Sequence, residues 1–234
     1  MSRGIKRVPI IFPRQPICSR VNLKNCSLCS GSTDCSGSNG FTVLHVNSGF
    51  TDWEALEKTI WDSRSSKSNL KLVVNSVELP RELIWAISYS EKNIIHINLD
   101  MTRYKCEIDG VDRMMSVSNR CGAYCVVCLQ PIIPTITKIY DVLSVLSRLE
   151  NKGRFNVNLL FAETIGATPE KDGWSNLNGS VIPSRWFNNG KTTQEFKDTF
   201  LSILKIYTDP RNISINVCYE TNDCNGACKI RPRR

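Results

Sequence analysis

Apolar residues along this chain recur with two periods, and the segments of each kind alternate. Phe41–Val46 (FTVLHV) is rich in β-branched and aromatic residues and predicts a strand. Thr51-x-x-Glu54 forms a capping box, predicting a helix with Trp53, Leu56 and Ile60 on one face. Leu70–Val77 predicts a second strand, and Pro80 suits the first position of a helix carrying Leu83, Ile84 and Ile87. Ile94–Leu99 predicts a third strand and Arg113–Ser118 (RMMSVS) a fourth. Ile136, Ile139, Leu143, Leu146 and Leu149 recur at helical spacing until Gly153 ends the pattern. Phe155–Phe161 predicts a fifth strand. A second capping box, Thr192-x-x-Glu195, leads a helix with Phe196, Phe200, Leu204 and Tyr207 on one face, and Ile213–Tyr219 predicts a sixth strand.

Strands alternating with helices predict parallel β-α units. The expected fold class is α/β: a partial (β/α)6-type barrel of mainly parallel strands. A doubly wound sheet is the other arrangement that periodicity allows. Polar residues follow the predicted strand ends at Asn47, Glu78, Asp100, Asn119, Glu163 and Glu220. In β/α barrels the chemistry sits at that edge, although strand ends that exit to water are polar anyway. Residues 1–40 read differently, with prolines, a Gly/Ser tract at Ser30–Gly40 and a cysteine group. The expected organisation is therefore a cysteine-rich, loop-like N-terminal segment over 1–40 and a barrel-like domain over 41–234.

Composition is that of an ordinary globular chain, with 41% hydrophobic and 22% charged residues among 234. No apolar run approaches the roughly 18 residues of a membrane span. Val8–Phe12 is short and ends at Pro13, unlike a secretory signal. A cytoplasmic protein with no membrane partner is expected. The net charge of +8 is spread, and the tail Lys229–Arg234 is the one run suited to nucleic-acid phosphate. The two histidines, His45 and His96, lie inside predicted strands and read as core or barrel-lining residues. Trp174, Trp186 and Phe187 fall in a long polar loop, where they can pack under the loop or clamp a substrate. No phosphate loop, dinucleotide glycine pattern, G-x-S-x-G or H-x-x-x-H occurs.

The 11 cysteines change the picture most. Ten fall in three short groups: Cys18, Cys26, Cys29 and Cys35; Cys121, Cys125 and Cys128; and Cys218, Cys224 and Cys228. Cys106 stands apart and reads as a buried structural thiol. In a reducing compartment, clustered thiols bind metal or do redox chemistry; disulfides in an oxidising one are the competing reading. The C-x3-C-x2-C triplet favours three irons of a [4Fe–4S] cluster with the fourth left open, since zinc usually takes four protein ligands in structural sites. The first group supplies four thiolates, enough for a second iron–sulfur cluster or a zinc ion. Cys106 could complete the third.

The stretch SVSNRCGAYCVVC, read as strand, polar turn and C-x3-C-x2-C, resembles the radical S-adenosylmethionine superfamily. The resemblance implies a partial β/α barrel in which Cys121, Cys125 and Cys128 hold a [4Fe–4S] cluster. The open iron would chelate S-adenosylmethionine, and cleavage would generate a radical on a small-molecule or peptide substrate. Glu163, Thr164 and Gly166, after the fifth strand, fall where the family's cofactor-binding turn lies. The other cysteine groups resemble auxiliary-cluster sites, and an electron-donor protein is the implied partner. The competing reading is a non-enzymatic binding protein stapled by zinc or iron–sulfur, with the basic tail reaching nucleic acid or a protein.

Overall fold

The computed structural model describes residues 36–37, 41–47, 52–65, 69–75, 78–90, 93–153, 155–162, 174–175, 181–189 and 191–218. Among the described residues, six parallel strands form most of one sheet: β1 (Phe41–Asn47), β2 (Asn69–Asn75), β3 (Ile94–Asp100), β4 (Tyr124–Ile132), β5 (Phe155–Phe161) and β6 (Ser214–Cys218). Each pairs in parallel with the next, so their spatial order is their chain order. The two-residue strand Ser36–Gly37 runs antiparallel along the outer edge of β1.

Among the described residues, five α-helices connect the strands: α1 (Trp53–Ser65), α2 (Arg81–Ile87), α3 (Tyr104–Cys121), α4 (Ile139–Leu149) and α5 (Gln194–Thr208). A doubly wound sheet reverses its strand order at a switch point, and this sheet never does. Right-handed crossovers in a sheet of unreversed order put every helix on the same face. Accordingly, each helix packs against its successor from α1 to α5. The result is a partial β/α barrel with helices outside and one sheet face turned inward.

Strand alternation divides the residues cleanly. Leu44, Val46, Leu72, Val74, Ile95, Ile97, Val127, Leu129, Val157 and Leu159 face the helices and form the core with Leu56, Ile60, Ile84, Val111, Met115, Leu146 and Leu204. Burying a side chain of this size is worth about 1.5–3 kcal/mol, so this layer drives assembly. The intervening strand positions face inward.

Local signals explain most helix starts. Asp52 Oδ1 accepts the Ala55 amide at 3.2 Å and begins α1, and Thr193 Oγ1 accepts the Phe196 amide at 3.4 Å and begins α5. Each cap lies one residue beyond the threonine that the capping-box pattern marks, because Asp and Thr compete with their neighbours for the same orphan amides. Pro80 precedes α2, where its missing N–H costs nothing.

One predicted strand is absent. Arg113–Ser118 lies within the 18-residue helix α3. Ile108, Val111, Met114, Met115 and Ser118 are its buried positions, a period of three to four that continues upstream of the short run RMMSVS. Gly122, at φ +75°, ends this helix: its amide bonds to Asn119 O, and that of Ala123 to Ser118 O. The real fourth strand begins only at Tyr124. Cys106 is also corrected: it is a free, exposed residue on α3 and packs in no core.

Candidate functional site on the inner face of the sheet

Register brings polar residues of successive strands into single rungs across the inner face. Asn47, Asn75, Asn98, Cys128, Asn158 and Asn216 occupy one rung from β1 to β6. The rung below holds His45, Val73, His96, Val126 and Asn156. Below that lie Val43, Lys71, Ile94 and Tyr124. Asp100 ends β3 beside Gln130 at the C-terminal edge.

The rungs are internally bonded and buried at their centre, with Asn75 and Asn156 half-buried and Asn216 exposed. Asn98 and Asn158 are buried, and Cys128 and Lys71 are 0% exposed. Asn98 Nδ2 donates to Asn75 Oδ1, which leaves Asn98 Oδ1 to accept from His96 Nε2 at 3.1 Å. His96 therefore carries its proton on Nε2. Asn216 Nδ2 donates to Asn158 Oδ1 at 3.4 Å. Burying the Asn98 and Asn158 amides is expensive unless they are paired, and the rung pairs them with Asn75 and Asn216.

At the C-terminal edge, the loop after β3 is self-bonded. Asp100 Oδ1 accepts from Thr102 N and Oγ1 at 2.8 and 2.7 Å, and Glu107 Oε2 accepts the Asp100 amide at 3.3 Å. After β4, Thr137 Oγ1 accepts the Ile133 amide at 2.9 Å and donates to Pro131 O at 3.3 Å. After β5, Thr192 Oγ1 donates to Ala162 O at 2.6 Å. These bonds hold the chain where β4 and β5 leave the sheet.

The structure does not bring Cys121, Cys125 and Cys128 together. Cys121 is the last residue of α3, on the approach to the N-terminal edge of β4. Cys125 and Cys128 both lie within β4. Their odd spacing sends Cys125 into the helix-facing core and Cys128 into the Asn98–Asn158 rung on the other side. Burial pushes the Cys125 thiol up to about 11, whereas a cluster ligand must be a thiolate. A cluster held jointly by these three sulfurs does not fit. Their spacing matches a cluster loop only when α3 is read as a strand. Among the described residues, no group of three or more Cys, His, Asp or Glu is placed to hold a metal ion.

Cys121 and Cys218, from the second and third cysteine groups, do not share an edge of the sheet either. Cys218 ends β6 at the C-terminal edge, whereas Cys121 approaches the opposite one. Cys18, Cys26, Cys29, Cys35, Cys224 and Cys228 lie outside the described residues, as do Glu163, Thr164 and Gly166. Of the loop aromatics, Trp186 stacks edge-on against Phe196, with centroids 5.3 Å apart, and Arg185 lies 4.8 Å over its ring. That is packing against α5. His96 lines the inner face as expected.

Sequence reasoning missed Lys71, Asn75, Asn98, Asn158 and Asn216. The signal was present: HVN, VVN, HIN, NVN and SIN each carry an asparagine near the middle or end of a strand. Only pairing register shows that these asparagines align.

The fold and this face define a partial β/α barrel with a polar rung on its inner face. No protein-family model matches the chain, and no curated protein matches it. Among solved structures, it is similar to SuiB of Streptococcus suis, at 11% identity and a TM-score of 0.48, over 76% of this chain and 39% of that one. SuiB bound to S-adenosylmethionine gives 10% identity and a TM-score of 0.48, over 75% and 37%. The chain thus spans about two-fifths of SuiB's length, and the topology above stands without that likeness. No helix among the described residues is long and apolar enough to cross a membrane.

Proposed function

We propose that this chain is an enzyme that holds a polar small molecule against the inner face of a partial barrel and uses S-adenosylmethionine as cofactor. The observation that carries the first half is the buried polar run Asn98–Cys128–Asn158 across β3 to β5, with His96 below it. A barrel filled only for stability would carry branched apolar residues there, as its outer face does. Amide and imidazole groups fixed by one another can position a ligand without reorganising. The cofactor identity rests on the remaining part of the sequence resemblance, Glu163, Thr164 and Gly166 following Phe161 in the sequence.

The iron–sulfur part of that resemblance is not carried by Cys121, Cys125 and Cys128, so no step is routed through a cluster there. Any cluster belongs on the first or third cysteine group. The substrate, small molecule or peptide, and an electron-donor protein belong to the same proposal, as does a cytoplasmic setting.

Equilibrium dialysis of the anaerobically purified full chain against labelled S-adenosylmethionine tests the reading. Retention near one equivalent is expected. No retention overturns the cofactor assignment. The separation of the three central cysteines favours a second reading, a metal-stapled binding protein. Stoichiometric zinc with no S-adenosylmethionine retained would support it.

A further inference from the structure

Lys71 is the side chain the proposed function leaves unexplained. It sits within Asn69–Asn75 (NLKLVVN), whose alternate residues Leu70, Leu72 and Val74 face the helix layer, so Lys71 points to the inner face. It is 0% exposed, and its Nζ has no hydrogen-bond partner among the described residues. Lysine is almost never fully buried unless paired, because an unpaired ammonium away from water costs several kcal/mol.

The described inner-face positions around it supply no counter-charge. Among the described residues, the inner-face positions of β2 to β5 below the strand ends are Val73, Asn75, Ile94, His96, Asn98, Tyr124, Val126, Cys128, Asn156 and Asn158. None is a carboxylate. Asp100 stands at the end of β3, six residues beyond Ile94 in the rung of Lys71, or roughly 20 Å along the strand. Among the described residues, Lys71 therefore lies beside the apolar Val73 and Ile94, with the neutral hydrogen-bonding groups further along the face.

We propose that the inner face binds the oxyanion group, carboxylate or phosphate, of a polar small molecule, with Lys71 as its counter-ion. The ammonium supplies charge and three donors, and the asparagine rung above it is placed for the uncharged remainder of the ligand. Among the described residues Lys71 Nζ has no hydrogen-bond partner, and a bound oxyanion would supply one. This inference rests on reading the inner face as the ligand site, and it adds the charge of the ligand.

The test is thermal unfolding of the full chain, kept reduced, at fixed ionic strength with sodium acetate, sodium phosphate or neutral acetamide. At saturation, Tm is expected to rise by about 2–4 °C with acetate or phosphate and not with acetamide. Acetate alone raising Tm assigns a carboxylate, and phosphate alone assigns a phosphoryl group. Lys71→Met keeps the volume and removes the charge. It is expected to unfold no earlier than wild type without anion, and to lose the anion response. No rise with either anion, equal rises with acetate and acetamide, or equal rises in wild type and Lys71→Met overturn the proposal. If Lys71→Met does not fold, the acetate–acetamide difference in wild type decides alone. Dialysis of S-adenosylmethionine is read separately, so failure of one assignment leaves the other standing.

Discussion

Cys125 and Cys128 stand three residues apart on β4 and face opposite sides of the sheet. Cys125 packs among the apolar residues beneath the helices, and Cys128 lies between Asn98 and Asn158 on the inner face. No rotamer change can make two such sulfurs ligands of one ion, because the strand itself lies between them. The neighbouring thiol, Cys121, belongs to a helix that Gly122 stops.

The first prediction concerns iron. Cys121→Ser, reconstituted anaerobically with iron and sulfide, is expected to hold the same iron per chain as wild type. Elemental analysis checks this. A loss of most of the iron would mean that the three central cysteines converge after all, contrary to the geometry of β4.

How much was legible in the sequence follows from the same region. Strands such as Ile94–Asp100 announce themselves through β-branched residues, and α5 through Phe196, Phe200 and Leu204. RMMSVS misleads because six residues with three apolar ones fit either period. Only Ile108 and Val111 upstream reveal the helix. Once that segment is taken as a strand, Cys121–Cys128 becomes a loop and acquires a metal-site reading. The inner-face rung was illegible for another reason: it depends on which residue of each strand lies opposite which, and this is set by packing of whole helices rather than by any local pattern.

Cys125 also gives a pH dependence. Burial raises its thiol pKa from 9.0 to about 11, so the fold favours the protonated form. Its contribution is fully present below about pH 9 and is lost as pH rises through about 11, up to about 2–3 kcal/mol. Wild type should lose more stability between pH 8.5 and 11 than Cys125→Ala, which has nothing to ionise there. Parallel losses in urea titrations of the two proteins would remove this explanation.

Thiol accessibility should split the cysteines of α3 and β4. Cys106 is exposed, whereas Cys125 and Cys128 are buried. Iodoacetamide at neutral pH is expected to label Cys106 in the native chain, and Cys125 and Cys128 only after denaturation. Peptide-resolved mass spectrometry reads the outcome, and native labelling of Cys128 would show that the inner face opens.

Gly153 carries a backbone requirement. It follows α4 at φ +115°, a region that L side chains rarely adopt, and a Cβ there would collide with the Asn119 side chain near the end of α3. Gly153→Ala is expected to cost about 1–3 kcal/mol and lower Tm by several degrees. An unchanged Tm would mean that the α4–β5 connection relaxes freely.

The inner-face rung itself is tested by comparing two asparagines. Asn98 is buried and joins two partners: its Oδ1 accepts from His96 Nε2, and its Nδ2 donates to Asn75. Asn216 is exposed on β6 and makes one long bond, 3.4 Å, to Asn158. Asn98→Leu removes the acceptor of a buried imidazole and the donor of a neighbouring amide. It should cost about 1–3 kcal/mol despite leucine's greater hydrophobicity. Asn216→Leu should stay within about 0.5 kcal/mol, because water replaces what it loses. Urea midpoints at unchanged m-value measure both. Equal costs would show that the rung is not a buried polar network but a row of strand positions indifferent to their side chains. The inner face would then lose its claim to be a preorganised site.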